Sequence, residues 1–145
     1  TEQFFNNSTN CLDEADSSFR PTEDSLSVAG QVAHVARTVD WFVDAIQSPH
    51  GFDMNFEAHW EETKGVTSLA DARRWFARSM ENAVKVIETL SEEQLLASLP
   101  EGPVMGGKPK LAIVGAIVDH TAHHRGALTV YSRLRGRTPA MPYLP

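Results

Sequence analysis

Apolar residues recur at helical spacing in this chain, and that periodicity restricts its fold more than any other feature. The clearest row advances in steps of three and four residues through Val28, Val32, Val35, Val39, Phe42 and Ile46. Such a row forms the buried face of an amphipathic helix. Comparable rows occur over residues 1 to about 19, from Ser68 to Leu90, and from about Lys110 to Arg135. Four helical segments without an alternating strand pattern predict an all-α fold, an antiparallel four-helix bundle.

Two segments lack this periodicity. Residues 49–66 mix aromatic with acidic side chains, and we expect a long connection there that contains a helical turn at most. We interpret its aromatic residues as core filling, and a cover over a binding site remains the alternative. Residues 100–109 hold three prolines and three glycines, which is typical of a loop.

The composition restricts the partners of the chain. Its formal net charge is −6 at pH 7, and a mildly acidic surface repels phosphate backbones, so we expect no nucleic-acid partner. No apolar run approaches the roughly 18 residues of a membrane span, so we expect no membrane association. A single cysteine, Cys11, excludes an internal disulfide and agrees with a cytoplasmic location. The length fits one domain, residues 1–145.

The last predicted helix carries histidines in the middle of its apolar row. That row reads Ile113, Ile117, His120, His124, Leu128 and Tyr131. Residues four apart on a helix have Cβ atoms about 6 Å apart, so His120 and His124 can hold one metal ion. Two buried imidazoles without a partner would leave polar atoms unpaired, which favours a ligand role. A third ligand must then come from a facing helix, and His34, at the edge of the second row, is the candidate.

Several alternatives stay open at this point. His123 also lies at ligand spacing from His120, but it points about 100° away from the row that contains His124. His50 and His59, in the connection 49–66, could contribute as well. The sequence contains neither a His-Glu-x-x-His zinc protease motif nor the Glu-x-x-His of di-iron bundles. The remaining alternative is a helical interaction module that binds no metal, in which the histidines are hydrogen-bonded core residues.

The run Asp119-His-Thr-Ala-His-His-Arg-Gly-Ala-Leu128 resembles the C-terminal signature of the DinB-like, or YfiT-like, metalloenzyme family. In that signature a histidine is followed after three residues by His-Arg-Gly-Gln, and Ala127 stands here where the family usually has Gln. The segment Val32 to Ala36 resembles the second family site, a histidine on the second helix, which corresponds to His34. The order and spacing of the predicted helices extend the resemblance over nearly the whole chain.

The resemblance implies a four-helix bundle in which three histidines bind a divalent ion, commonly zinc or nickel. It also implies a homodimer, and a low-molecular-weight thiol as co-substrate in S-transfer or isomerisation. Three protein ligands leave coordination positions open, as in catalytic rather than structural sites. We therefore expect a metal-dependent enzyme of the thiol S-transferase type. A metal-dependent hydrolase and a non-catalytic metal-binding or stress-response bundle are the alternatives, and the sequence identifies no catalytic residue.

Overall fold

The structure, a computed structural model, describes residues 1–143 of the chain. Within that range the chain is helical and contains no strand beyond an isolated bridge between Ser98 and Pro109. The helices in order are α1 (Glu2–Thr9), a 3₁₀ turn (Glu14–Asp16), α2 (Val28–Gln47), α3 (Phe56–Lys64), α4 (Leu69–Thr89), α5 (Glu92–Leu96) and α6 (Ala112–Leu134). None of these helices combines the length and the apolar character that a membrane span requires.

The predicted all-α four-helix bundle is confirmed, and α1, α2, α4 and α6 pack around one core. The first helix is shorter than the prediction of about 19 residues, because α1 ends at Thr9. A capping box then starts the 3₁₀ turn: the Asp13 side chain accepts from Ala15 N, and the Asp16 side chain accepts from Asp13 N. Short acidic side chains compete in this way with helical hydrogen bonds, which apolar spacing alone does not reveal.

Helices α2 and α6 run antiparallel. Lys110, just before α6, donates to the carbonyl of Ile46 near the end of α2 at 2.8 Å. At the opposite end, the Tyr131 hydroxyl donates to the carbonyl of Leu26, just before α2, at 3.1 Å. This direction brings the first half of α2 beside the middle of α6, where the candidate ligands lie.

Helices α2 and α4 run in the same direction, because the segment that contains α3 crosses back along the bundle. Ser17 shows this directly. Its carbonyl accepts from Ala29 N at 3.1 Å, at the start of α2, and its hydroxyl accepts from Leu69 N at 2.9 Å, at the start of α4. The antiparallel packing thus holds for α2 with α6 and for α1 with α4, where Arg73 donates to the carbonyl of Thr9 at 2.7 Å.

We expect Ser17→Ala to lower the free energy of unfolding by about 1–3 kcal/mol, because the buried N–H of Leu69 loses its acceptor. Ser18→Ala is the matched control, since Ser18 is exposed and should change stability little. Urea denaturation of both variants measures the difference. Equal midpoints for the two variants would show that Ser17 does not join the two helices energetically.

Candidate metal centre

Three histidine side chains meet in the interior between α2 and α6. His34 comes from α2, and His120 and His124 come from successive turns of α6. The His34 ring centroid lies 5.1 Å from that of His120 and 4.7 Å from that of His124, and the two α6 rings are 4.4 Å apart. One ring nitrogen of each residue lies within 4.8 Å of the others. The structure therefore brings together the three residues that the sequence predicts as ligands.

The spacing of these rings fits a shared divalent ion. The Nε2 atoms of His120 and His124 are 3.1 Å apart. Two nitrogens that each lie about 2.1 Å from one ion are roughly 3.0 to 3.4 Å apart at octahedral or tetrahedral angles. A direct hydrogen bond between the two rings would have the same length. In either arrangement at least one Nδ1 carries a proton, and both Nδ1 atoms are buried without a partner in residues 1–143. The three-histidine group can hold a metal ion.

All three imidazoles are neutral near pH 7, which is the protonation state that a metal ligand needs. Burial, and then the neighbouring His120, His34 and His123 rings, together lower the pKa of His124 to about 3. Burial, and then His34 and His123, lower the pKa of His120 to about 4, although Asp119 opposes the shift. Burial and His123 also lower the pKa of His34. The lone pairs of the cluster are therefore available without prior loss of a proton.

These lowered pKa values predict how the metal-free protein responds to acid. The unfolded chain binds protons at these histidines below about pH 6.5, whereas the folded chain stays neutral there down to about pH 4 at His120. The stabilisation is therefore fully present above pH 6.5 and is lost as the pH falls towards the folded pKa values. With a chelator present, we expect the free energy of unfolding to decrease by roughly 1 kcal/mol per pH unit or more between pH 6.5 and 5. Denaturant titrations at several pH values measure this slope.

The control for this slope is a variant with both α6 histidines replaced, His120→Gln with His124→Gln. Its unfolding free energy should depend less on pH over the same range, because two of the groups with lowered pKa values are gone. An equal slope in the variant would assign the acid sensitivity to other groups.

The remaining histidines do not join the cluster. His123 is exposed; its ring touches that of His124 with centroids 4.9 Å apart, but it offers no nitrogen to the group. His50 is exposed as well. His59 belongs to α3, where its Nε2 lies 3.1 Å from Oδ2 of Asp53. The periodicity of α6, which favours His124 over His123, agrees with this arrangement.

Hydrogen-bond partners that would orient the ligand rings are missing from the described residues. Gln31 and Thr38 flank His34 at helical spacing and are the obvious candidates in the sequence. The Thr38 hydroxyl instead donates to the carbonyl of His34 at 2.8 Å, and Gln31 makes no hydrogen bond to any of the three rings. The rings are thus positioned by packing between the helices rather than by the usual acceptors.

A cavity of about 300 Å³ borders His34 and His120. Its walls are mostly aromatic and come from Trp41, Phe42, Phe56 and Trp60. Of these, Phe56 and Trp60 lie on α3 and are 51% and 45% exposed, so the interpretation of the aromatics of 49–66 as core filling is wrong for both. The connection instead forms a helix that covers the histidine cluster, which was the alternative.

Two contacts hold this cover in place. Trp41 Nε1 donates to the carbonyl of Asp53 at 2.6 Å, and the Trp41 ring packs on Phe52 with centroids 4.5 Å apart. Asn55 then caps α3 by accepting from Ala58 N at 3.2 Å. Phe52 does fill space next to the core, as the sequence analysis predicts for this segment.

The sequence analysis missed Arg37, which also lines the cavity. It lies three residues after His34 on α2, and residues at that spacing share a helix face. A search for charged residues one turn away from each candidate ligand would have found it. A larger groove of about 600 Å³, lined by Arg20, Glu23 and Asp24 among others, holds no histidine and is not the candidate site.

Comparisons with known proteins agree with this fold. Residues 2–128, which include all three clustered histidines, match the family model described as the DinB superfamily. The chain is similar to an uncharacterized protein, YjoA, of Bacillus subtilis (strain 168), with 31% identity over 122 residues, which are 83% of this chain and 75% of that protein. A 2.30 Å crystal structure of a DinB-like protein, YjoA from Bacillus subtilis, superposes with a TM-score of 0.69 at 23% identity, covering 96% of this chain and 89% of that one. At that identity the structural likeness concerns the fold alone.

Proposed function

We propose that this chain, which belongs to the DinB superfamily, binds a divalent metal ion through His34, His120 and His124 and acts with a small thiol as an S-transferase. The observation that carries the proposal is the cluster of three neutral ring nitrogens from two helices. Zinc and nickel are the proposed ions, because imidazole nitrogen suits both. A bound ion would supply Lewis acidity, which deprotonates a thiol outright.

The residues around the cluster suit a small apolar molecule. The cavity borders two of the three rings, so a molecule in it would lie directly beside the proposed ion. Four aromatic side chains line this space, and an apolar molecule bound among them would displace water, which strengthens electrostatic interactions there. The α3 cover supplies Phe56 and Trp60, which would close over an apolar substituent.

A metal-dependent hydrolase is the second candidate, and His59 supports it. This side chain lines the cavity, and Asp53 lies 3.1 Å from its Nε2, so the carboxylate orients the imidazole. A histidine held in this way can accept a proton from water. Replacing His59 with glutamine would remove the base while leaving the metal ligands untouched.

Two measurements test the proposal in order. Elemental analysis of protein purified without a chelator should find zinc or nickel near one ion per chain. Nickel-loaded protein should then change its absorption spectrum when a thiol is added, and should transfer that thiol to an electrophile in a panel of such compounds. Bound metal without a spectral change or turnover would favour the non-catalytic metal-binding bundle, and absence of metal would favour the helical interaction module.

We also propose a cytoplasmic homodimer, as the family resemblance implies. An exposed apolar row at the start of α6 supports a second copy as the partner. Leu111, just before the helix, and Val114 and Val118 within it are all exposed at helical spacing. Sedimentation velocity of the wild-type protein and of Val118→Asp measures the oligomeric state.

A further inference from the structure

We propose that the cavity beside the histidine cluster binds a small monocarboxylate with an aromatic or apolar body, and that Arg37 holds its carboxylate. The inference rests on the proposed function in one respect only, namely that the same cavity serves the substrate. It assigns the substrate class, which neither the histidines nor the family membership specifies.

The guanidinium of Arg37 has free donors. Its side chain is only 16% exposed, and its Nε lies 3.0 Å from Oε2 of Glu62. Despite this short distance Nε makes no hydrogen bond, and it is the one Arg37 nitrogen that is both buried and without a hydrogen bond. The two terminal nitrogens make no hydrogen bond within the described part of the chain either, and both keep contact with solvent. An arginine this enclosed usually has its planar fork paired with an acceptor. Here the two terminal amino groups remain available for a ligand.

The acidic residues nearby make no hydrogen bond to the terminal nitrogens, although Asp44 and Asp53 interact with the Arg37 charge through space. The Glu62 carboxylate lies near Nε rather than near the terminal nitrogens, and its side chain is 55% exposed, so water screens its interaction with Arg37. Asp40 and Asp44 line a separate groove on the α2 surface together with Arg37, yet neither forms an ion pair with it within residues 1–143. The cavity itself has no carboxylate among its lining residues, so Arg37 is the charged group that an entering anion meets there. A carboxylate matches the fork with two parallel hydrogen bonds.

The rest of the cavity specifies the body of the ligand. Its volume of about 300 Å³ is at the small end of ligand pockets, which limits the ligand to a small molecule. Phe56 and Trp60 present large, half-exposed aromatic surfaces on one side, and Trp41 and Phe42 line another. Removing such surface from water favours an aromatic or branched apolar group over a sugar or a polar peptide.

Arg37 and His34 border the same cavity. The two residues are three apart on α2 and share a face of the helix, and His120 lines the cavity as well. A carboxylate on Arg37 therefore leaves the rest of a small ligand beside the histidine cluster. A mercaptocarboxylate could place its sulfur there, and a thiol-free carboxylate could serve as the acceptor, so both sources share the same recognition chemistry.

Calorimetric titration with 3-phenylpropanoate and its neutral amide, 3-phenylpropanamide, tests the inference. We expect the acid to bind at least about tenfold more tightly than the amide, and Arg37→Gln to remove that difference. Arg37→Lys should retain only part of it, because lysine keeps the charge and loses the fork. Arg78→Gln, the same charge change at an exposed position of α4, should bind like the wild type. Circular dichroism checks that each variant is folded.

The titrations are run on zinc-loaded and on chelator-treated protein, because a metal ion can bind a carboxylate by itself. Dependence on Arg37 in both forms supports the inference even if the proposed metal chemistry fails. Equal binding of acid and amide, unchanged acid binding in Arg37→Gln and Arg37→Lys, or no binding of either probe would overturn it. A third probe, 2-mercapto-3-phenylpropanoate, distinguishes the two sources of the carboxylate. If it binds more tightly than 3-phenylpropanoate only when zinc is present, the thiol co-substrate carries the carboxylate. If the two compounds bind equally, the acceptor carries the carboxylate.

Discussion

His124→Ala is expected to reduce bound metal from about one ion per chain to less than about a tenth, as measured by elemental analysis of protein purified without a chelator. His124 is the residue whose ring is close to both of the other two, with centroids 4.7 Å from His34 and 4.4 Å from His120. Its removal leaves two imidazoles, which compete poorly with water and buffer for a divalent ion. His120→Ala should have the same effect for the same reason.

His123→Ala is the matched control, because it removes the adjacent imidazole from an exposed position on the same helix turn. It should retain the metal content of the wild type. The two variants also differ in stability: a chelator should lower the melting temperature of wild type and His123→Ala, and leave that of His124→Ala unchanged. Equal metal content in all three proteins would reject the three-histidine site.

The pair on α6 could be predicted from the sequence because both ligands lie on one helix. Ile113, Ile117 and Leu128 are buried as the periodicity requires, and the histidines between them must then face the same interior. Helical geometry alone places His120 and His124 on one face with Cβ atoms about 6 Å apart, because the two residues are four apart. No tertiary information is needed for that part of the site.

The third residue of the cluster depends on tertiary structure. His34 meets the α6 pair only because α2 and α6 run antiparallel, and spacing within α2 cannot specify the direction of its neighbours. The family resemblance supplied that information in place of geometry. The role of α3 could not be predicted for a similar reason. Phe56 and Trp60 are residue types that usually lie in a core, and they are exposed here because the hydrogen bond from Trp41 to Asp53 sets the position of the segment before α3.

Sequence periodicity also fails where side-chain polarity decides the structure, and the region after α1 shows this. Phe19 continues the apolar spacing of the first segment, but α1 ends at Thr9, and Asp13 and Asp16 form the capping box of a 3₁₀ turn instead. Asp16 is then buried completely, although aspartate is among the residues that are least often found in a core. The cause is an ion-pair network with the end of α6, which lies over a hundred residues further along the chain.

Asp16→Asn, which neutralises a buried carboxylate, should lower the free energy of unfolding by about 3 kcal/mol. The Asp16 carboxylate lies 2.9 Å from Arg135 Nε and 3.0 Å from an Arg137 terminal nitrogen. Asparagine keeps the size of the side chain, but its amide would turn a donor towards a donor. The two arginines are 42% and 31% exposed and can be rehydrated, which places the loss at the lower end for a broken buried pair.

Asp24→Asn makes the same charge change at an exposed residue near the start of α2 and should alter stability by less than about 0.5 kcal/mol. Urea denaturation compares the two variants, and for a chain of this length 3 kcal/mol corresponds to roughly 6–12 °C in melting temperature. Because Asp16 joins the 3₁₀ turn to the end of α6, the loss should appear without any change in metal content. If metal content falls together with stability, this network also sets the position of the α6 histidines. If both variants are equally stable, the buried ion pairs make no net contribution to the free energy of unfolding.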